Sequence, residues 1–272
     1  METNSSASSP GRMSGGRKTL SWGKDDVRQS FVVMKNEFRK FFYGKKMLLF
    51  LGLTVAVLAL IIVMIAALDP FSDEDDKKRL TEAMFISFYA FIILIAVTLF
   101  GATSIVSEYE ERTALILFTK PIRKSSIYMG KLLASIVLTF VFTCVYYAVS
   151  AVFCAVFCGI GTEMLVSFGL SACYIFGANG VALLISTMMK KSSTSSIVVF
   201  MLFLILFTVI SSVIEAGAGS GTAFWMIDQA SAGISNSLSD SYDDGIRDAA
   251  VMLIWGAAAS AAGYWLFKRR DF

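Results

Sequence analysis

The chain has 272 residues, of which 56% are hydrophobic and 17% are charged, and its formal net charge is +3. A soluble domain is nearer half apolar and a quarter charged, so this composition, gathered into long apolar runs, excludes an ordinary soluble domain, a disordered chain and a disulfide-stapled secreted protein. The small net charge gives little support to nucleic-acid binding, and we expect no nucleic-acid partner.

Residues 1–24 are rich in Ser and Gly and low in apolar residues, which predicts a disordered cytoplasmic tail. Residues 25–46 carry a basic amphipathic pattern, and we expect an elbow helix that lies flat on membrane lipid. Two interpretations of this helix stay open: a simple membrane anchor, and a helix that also contacts a cytoplasmic partner. Its apolar face is predicted to consist of Val27, Phe31, Met34, Phe38, Phe41 and Phe42.

The remainder, 47–272, contains apolar runs that are long enough to cross a bilayer. Hydrocarbon ~30 Å thick requires about 20 apolar residues in a helix. None of the runs contains Asp, Glu, Lys or Arg, and no alternation of period two indicates strands. The sequence therefore predicts an all-α membrane protein with six transmembrane helices, over about 47–68, 83–106, 132–157, 165–189, 197–214 and 249–267.

The distribution of Lys and Arg predicts the orientation of these spans. An even number of spans places both termini on one side of the membrane. Lys and Arg are concentrated in the termini and in the loops on that side, and only Lys77, Lys78, Arg79 and Arg247 fall in the other loops. Because cytoplasmic loops carry the excess of Lys and Arg, we expect a multi-pass protein of the cell membrane with both termini in the cytoplasm.

The outer loop 215–248 is the longest loop on the other side. Its middle, 223–234, is apolar and includes Phe224 and Trp225. This predicts short interfacial or re-entrant helices that act as an outer lid. A surface loop with a single aromatic membrane anchor is the alternative.

Several kinds of chemistry have no residues to support them. The chain has no His, which excludes imidazole catalysis and a His metal site, and it has no Walker A motif. We therefore expect no catalytic residue, cofactor site or metal site in this chain. The runs lack the charges of an ion-coupled carrier. We expect their polar and small residues to act in helix packing, in particular Asn179, Gly256, Ser260 and Gly263.

The most informative segment is the cytoplasmic connection 107–131, which we call the coupling segment. Acidic residues open it, as a helix N-terminus prefers, a short apolar stretch follows, and Pro121 ends that helix. A short amphipathic helix between two spans is suited to transmit a displacement from a bound partner to those spans. We expect the contact with a partner to be made by Glu108, Glu110, Glu111, Thr113, Leu115, Leu117, Phe118, Pro121, Ile122 and Arg123.

This segment resembles the coupling region of type-2 ABC export permeases, through the patterns Glu-Glu-x-Thr, Leu-x-x-x-Pro-Ile and Ile-x-x-Gly-Lys. The matching residues are Glu110, Glu111, Thr113, Leu117, Pro121, Ile122, Ile127, Gly130 and Lys131. The resemblance implies a permease subunit that is not itself an enzyme. It further implies separate ABC ATPase subunits that bind ATP and Mg, and a second permease copy or paralogue that completes a homo- or heterodimer.

Two functions of different classes are consistent with these features. The leading hypothesis is the transmembrane permease subunit of an ATP-driven exporter, since a membrane chain without a nucleotide site or coupling charges must draw energy from another chain. The alternative is a non-transporting membrane scaffold or assembly factor, in which the coupling segment docks a cytoplasmic partner.

Overall fold

The computed structural model describes residues 24–68, 74–110, 123–157, 163–237 and 242–269. Within these ranges the structure is helical apart from short turns and contains no β-strand, so the predicted all-α fold class is confirmed. The predicted tail 1–24 lies almost wholly outside the described residues.

Long helices run through the bundle, and short helices lie at the breaks between them. They are α1 (Lys24–Phe42), α2 (Lys45–Leu68), α3 (Glu74–Ala96), α4 (Ala102–Ser104), α5 (Val106–Glu110), α6 (Lys124–Phe157), α7 (Glu163–Met188), α8 (Ser192–Met201), α9 (Thr208–Ala218), α10 (Ile227–Asn236) and α11 (Gly245–Arg269). Two π-helical segments, Val97–Gly101 and Leu202–Phe207, join α3 to α4 and α8 to α9.

Six helical stretches are long and apolar enough to cross a membrane, which makes the chain a multi-pass membrane protein and confirms the predicted number of spans. They are Met47–Ala67, Met84–Ser104, Lys124–Ala155, Glu163–Met188, Ser192–Ala218 and Gly245–Arg269. Helix α6 has 34 residues, so at 1.5 Å per residue it is about 51 Å long and exceeds the hydrocarbon thickness.

The core is organised around α7, against which α11 packs along most of its length. The two helices approach closely because they face each other with glycines. A Cβ atom on Gly180 would lie only 2.7 Å from the carbonyl oxygen of Gly256. Helices α3 and α6 pack on other sides of α7 and complete the buried core.

Helix α2 is attached to the bundle by one narrow stripe. Its buried residues are Phe50, Thr54 and Ile61, which are spaced by four and seven positions and so share one helical face. Met47, Val57, Leu58 and Ile65 are half-buried beside this stripe, and most of the remaining apolar surface is exposed, as expected of a helix surrounded by lipid or by a second membrane chain.

The two ends of the bundle differ. Helix α1 lies beside the start of α6 at one end, which we call the basal end. At the other, distal end, α10 packs against α3, α7 and α11, and buries Ile227, Ala230 and Ile234 completely. The apolar middle of the loop 215–248 thus contains a short helix that enters the bundle. Gly219, with φ of 104°, ends α9 before this helix.

Candidate functional site

The basal end contains those residues of the predicted coupling site that the structure describes: Glu108, Glu110 and Arg123. The other predicted members lie outside the described residues; they are Glu111, Thr113, Leu115, Leu117, Phe118, Pro121 and Ile122.

A turn in the chain positions the start of the coupling segment. The helical path breaks at Ile105, between α4 and α5, and the backbone N–H groups of Ile105 and Val106 both donate to the Ser186 hydroxyl, at 3.2 and 3.1 Å. The Ser195 hydroxyl donates to the carbonyl of Ala102 at 2.6 Å. Residues from α7 and α8 therefore fix the direction in which α5 leaves the bundle.

The two acidic residues on α5 contact different helices. Glu108 Oε1 lies 3.1 Å from Lys131 Nζ on α6 and 3.5 Å from Lys40 Nζ on α1. Glu110 Oε2 accepts a hydrogen bond of 2.8 Å from the backbone N–H of Ser192, at the first residue of α8. A carboxylate is favoured there, because a helix N-terminus carries unpaired N–H groups and a positive dipole end.

The described part of the coupling segment resumes at Arg123, and this side of the segment is also held by an ion pair. Arg123 Nη1 lies 2.6 Å from Asp26 Oδ2, at the start of α1. The neighbouring Lys124 Nζ donates to the carbonyl of Lys268 at the end of α11, at 3.4 Å. Both described ends of the segment are therefore tied to the transmembrane bundle and to α1.

Lys131 is the buried centre of this site. Its Nζ donates to Glu37 Oε1 at 2.6 Å, to the carbonyl of Ser104 at 2.8 Å and to Glu108 Oε1 at 3.1 Å. The side chains of Lys131 and Glu37 are 2% and 3% exposed. An ammonium group has three donors, so each finds an acceptor, which is the condition for keeping a charged lysine in the interior.

The face of α1 that contacts the protein is partly polar, and this differs from what the amphipathic pattern suggests of a buried helix. The buried residues of α1 are Asp26, Ser30, Val33, Glu37 and Phe41, spaced at helical intervals. Val27, Phe31 and Phe42, from the predicted apolar face, are exposed. Phe41, from the same predicted face, is buried, and Met34 and Phe38 are half-buried, so only part of the predicted apolar face points away from the described protein.

Sequence reasoning did not select Asp26, Glu37 or Ser186, although they hold the coupling segment in place. The available signal was the spacing of acidic residues on one side of a basic amphipathic helix, since Asp26 and Glu37 are 11 positions apart and share a face. That spacing identifies a common face but not its partner on α6, which follows more than 90 residues later.

The residues predicted to act in helix packing all lie within the bundle. Gly256 and Ser260 face Gly180 across the α7–α11 contact, and Gly263 lies against Tyr128 and Leu184. Asn179 is fully buried, and its Nδ2 donates to the carbonyl of Ile175 at 2.9 Å and to Thr139 Oγ1 at 3.5 Å.

The distal end has a second polar cluster, in which Tyr242 and Asp244 precede the stretch Gly245–Arg269 and Arg247 and Asp248 lie in its first turn. Tyr242 donates to Asp248 at 2.7 Å, and Arg247 pairs with Asp244 at 2.9 Å. Partial burial, together with the hydrogen bond to the Asp248 carboxylate, raises the pKa of Tyr242 above its usual value. Among the residues that the structure describes, no three His, Cys, Asp or Glu side chains are grouped as they would be to hold a metal ion.

Six helices long enough to span a membrane, with Glu108, Glu110 and Arg123 tied to the base of their bundle, define a multi-pass membrane protein. Comparison with protein-family models matches residues 31–272 to the ABC-2 family of transporter proteins. The chain belongs to this family, whose members are membrane permease components of ABC transporters without an ATPase domain of their own and associate with ABC ATPase subunits. The resemblance to type-2 ABC permeases is thereby confirmed. A comparison with curated proteins finds no match.

Proposed function

We propose that this chain is the permease subunit of an ATP-driven exporter, and that separate ATPase subunits, which bind ATP and Mg, dock against the coupling segment. The observation that carries this proposal is that both described ends of the segment are fastened to the bundle, through Glu108, Glu110 and Arg123. A loop whose ends are fixed to several helices transmits a displacement instead of absorbing it.

The mechanism is a rigid-body switch between two states. ATP binding draws the ATPase subunits together and displaces the coupling segment. Since Glu108 contacts Lys131 on α6 and Glu110 contacts Ser192 on α8, the displacement reaches two spans at once. ATP thereby biases the equilibrium between a path open to the cytoplasm and a path open to the outside.

The translocation path in this proposal requires a second permease copy or a paralogue. Exposed apolar surface is available for it, because α2 buries only one stripe and the span Ser192–Ala218 is mostly exposed. Membrane lipid covers what the partner leaves free. The excess of Lys and Arg on the basal side supports the proposal of a cell-membrane protein with both termini in the cytoplasm.

The test is to purify the chain from its native membrane and to identify an ABC ATPase that copurifies with it. ATP turnover by the reconstituted complex should exceed that of the isolated ATPase. A permease that is fully active as a lone chain would contradict the proposal. An ATPase whose turnover is indifferent to the permease would instead support a scaffold.

We expect Pro121→Ala and Glu111→Ala to lower the permease-dependent ATP turnover while membrane insertion, measured by extraction and proteolysis, stays intact. Lys190→Ala, on the exposed connection between α7 and α8, is the control. Unchanged turnover in both variants would argue against a coupling role for the segment.

A further inference from the structure

Helix α1 contacts both described ends of the coupling segment. Asp26, near its start, pairs with Arg123, and Lys40, near its end, lies 3.5 Å from Glu108. These two α1 residues are 14 positions apart, or about 21 Å along the helix axis. Helix α1 therefore lies across the base of the segment and is fixed to both of its ends.

Helix α1 is also fixed by a buried ion pair about one turn before Lys40. Glu37 is paired with Lys131 at 2.6 Å in a fully buried environment, and the same ammonium group holds Glu108. The negative charges of Glu37 and Glu108 are balanced by the positive charges of Lys131 and Lys40. Removal of one charge would leave a buried charge uncompensated, which is strongly destabilising.

The backbones of α1 and α6 also touch beside this ion cluster. A Cβ atom on Gly130 would lie 2.7 Å from the carbonyl oxygen of Ser30 and 2.8 Å from the Cβ of Val33. Gly130 thus allows the two helices to approach, and Lys131, the next residue, makes the ion pair. These contacts join the backbones of α1 and α6 directly beside the ion cluster.

Membrane anchoring alone does not explain this arrangement. A helix that only floats on lipid needs an exposed apolar row and a solvated polar face. Helix α1 exposes Phe31 and two other residues of its predicted apolar face, with Phe31 55% exposed, but it also buries Asp26 and Glu37. Burying carboxylates is costly unless each has a specific partner, so the cost is met here by contacts that set the position of α1 relative to the coupling segment.

We propose that α1 is a brace of the coupling segment, and that Lys131 is the positioning residue that joins α1, α5 and α6 into one rigid unit. This inference rests on the function proposed above. When the ATPase displaces the coupling segment, the three helices move together, and α1 carries the displacement along the membrane surface. Asp26 and Lys40 keep the ends of the segment at a fixed separation during that movement.

The test uses the reconstituted complex of the chain with its copurified ATPase. Lys131→Met removes the cation at nearly constant size, and Lys131→Arg keeps the charge. Lys35→Met is the matched control, because Lys35 lies on the exposed side of α1. The readouts are kcat and KM for MgATP, and backbone hydrogen exchange of 24–42 and 106–110 with and without MgATP and vanadate.

We expect Lys131→Met to lower kcat by at least fivefold with KM for MgATP within twofold of the parent, because the nucleotide is bound by another subunit. Trapped nucleotide should change the exchange of α1 and α5 in parallel in the parent, and only that of α5 in Lys131→Met. Lys131→Arg should keep at least half of kcat. Lys35→Met should behave as the parent does.

Should Lys131→Met fail to assemble, Glu37→Gln provides the same test, since it removes one charge and preserves the shape of the side chain. If the variant kept the kcat of the parent and the nucleotide-dependent hydrogen exchange of α1, the brace would be overturned. The proposed permease function would still stand. A parent complex that does not respond to MgATP would overturn the function itself. In that case, faster exchange of α1 in Lys131→Met than in Lys35→Met would still support the contact.

Discussion

Gly180 marks the point at which two transmembrane helices touch through their backbones. The atom that a Cβ on Gly180 would meet is the Gly256 carbonyl oxygen, at 2.7 Å, and a backbone atom cannot move aside as a side chain can. Gly169, on the same helix, has no atom within 4 Å of the corresponding position. The two glycines of α7 therefore differ sharply in their environment.

Gly180→Ala should separate α7 from α11 and reduce the thermal stability of the detergent-purified protein, by about 1–3 kcal/mol, the usual cost of overpacking. Gly169→Ala should cause no loss, because it adds a methyl group in open space and alanine favours the helix. Equal melting temperatures for the two variants would show that the α7–α11 contact does not limit stability.

Helix α10 is held at the distal end by a sequence of hydroxyl groups that crosses three helices. The Tyr147 hydroxyl on α6 bonds to Ser167 at 2.8 Å and to Ser171 at 2.7 Å on α7. Ser167 in turn donates to the carbonyl of Ile234 on α10, at 3.1 Å. All of these hydroxyls are buried, so each depends on the others for its hydrogen bonds.

Tyr147→Phe should therefore loosen α10 without affecting α1. The loss of two buried hydrogen bonds is worth about 1–3 kcal/mol, and amide hydrogen exchange of 227–236 should accelerate while that of 24–42 stays constant. Tyr43→Phe, at a residue that is 83% exposed, makes the same chemical change and should alter neither segment. Acceleration in both segments would indicate global destabilisation instead.

Helix α1 shows where sequence reasoning about elements succeeds and where it stops. Its periodicity predicts a helix with an apolar row, because the positions of the apolar residues depend only on local geometry. Whether that row meets protein or lipid depends on tertiary contacts. The polar side of α1 meets the bundle through Glu37 and Lys131, and this pairing between residues 94 positions apart leaves no local pattern.

The coupling site is predictable to a similar degree. The acidic start of the segment and Pro121 are visible in the sequence, and so is the resemblance to ABC permeases. The partners Asp26, Ser186 and Ser192 are not, because they come from helices that meet only in the fold. Span number and approximate position follow directly from the length of the apolar runs, which the bilayer thickness dictates.

At the scale of the whole molecule, charge is concentrated at the two ends of an apolar bundle. Glu37, Glu108 and Lys131 lie at the basal end, and Asp244 and Arg247 lie at the distal end. The orientation proposed from Lys and Arg therefore assigns these two clusters to opposite sides of the membrane.

This orientation can be measured by labelling single cysteines in a variant in which all four native cysteines are replaced. Ile246→Cys, at a position that is 88% exposed at the distal end, should react with a membrane-impermeant maleimide in intact cells. Lys190→Cys, at the basal end, should react only after permeabilisation. The reverse pattern would place the coupling segment outside and remove the basis of ATPase docking.

Helix α6 is uninterrupted and can therefore move as one rigid rod. The spans that contain α3 and α8 are broken by π-helical segments, whereas α6 is a single α-helix of 34 residues. A rigid rod about 50 Å long that pivots 10° near its middle swings each tip by about 4 Å, in opposite directions. A displacement of α6 near Lys131 would thus move Tyr147 and the neighbouring α10 in the opposite direction.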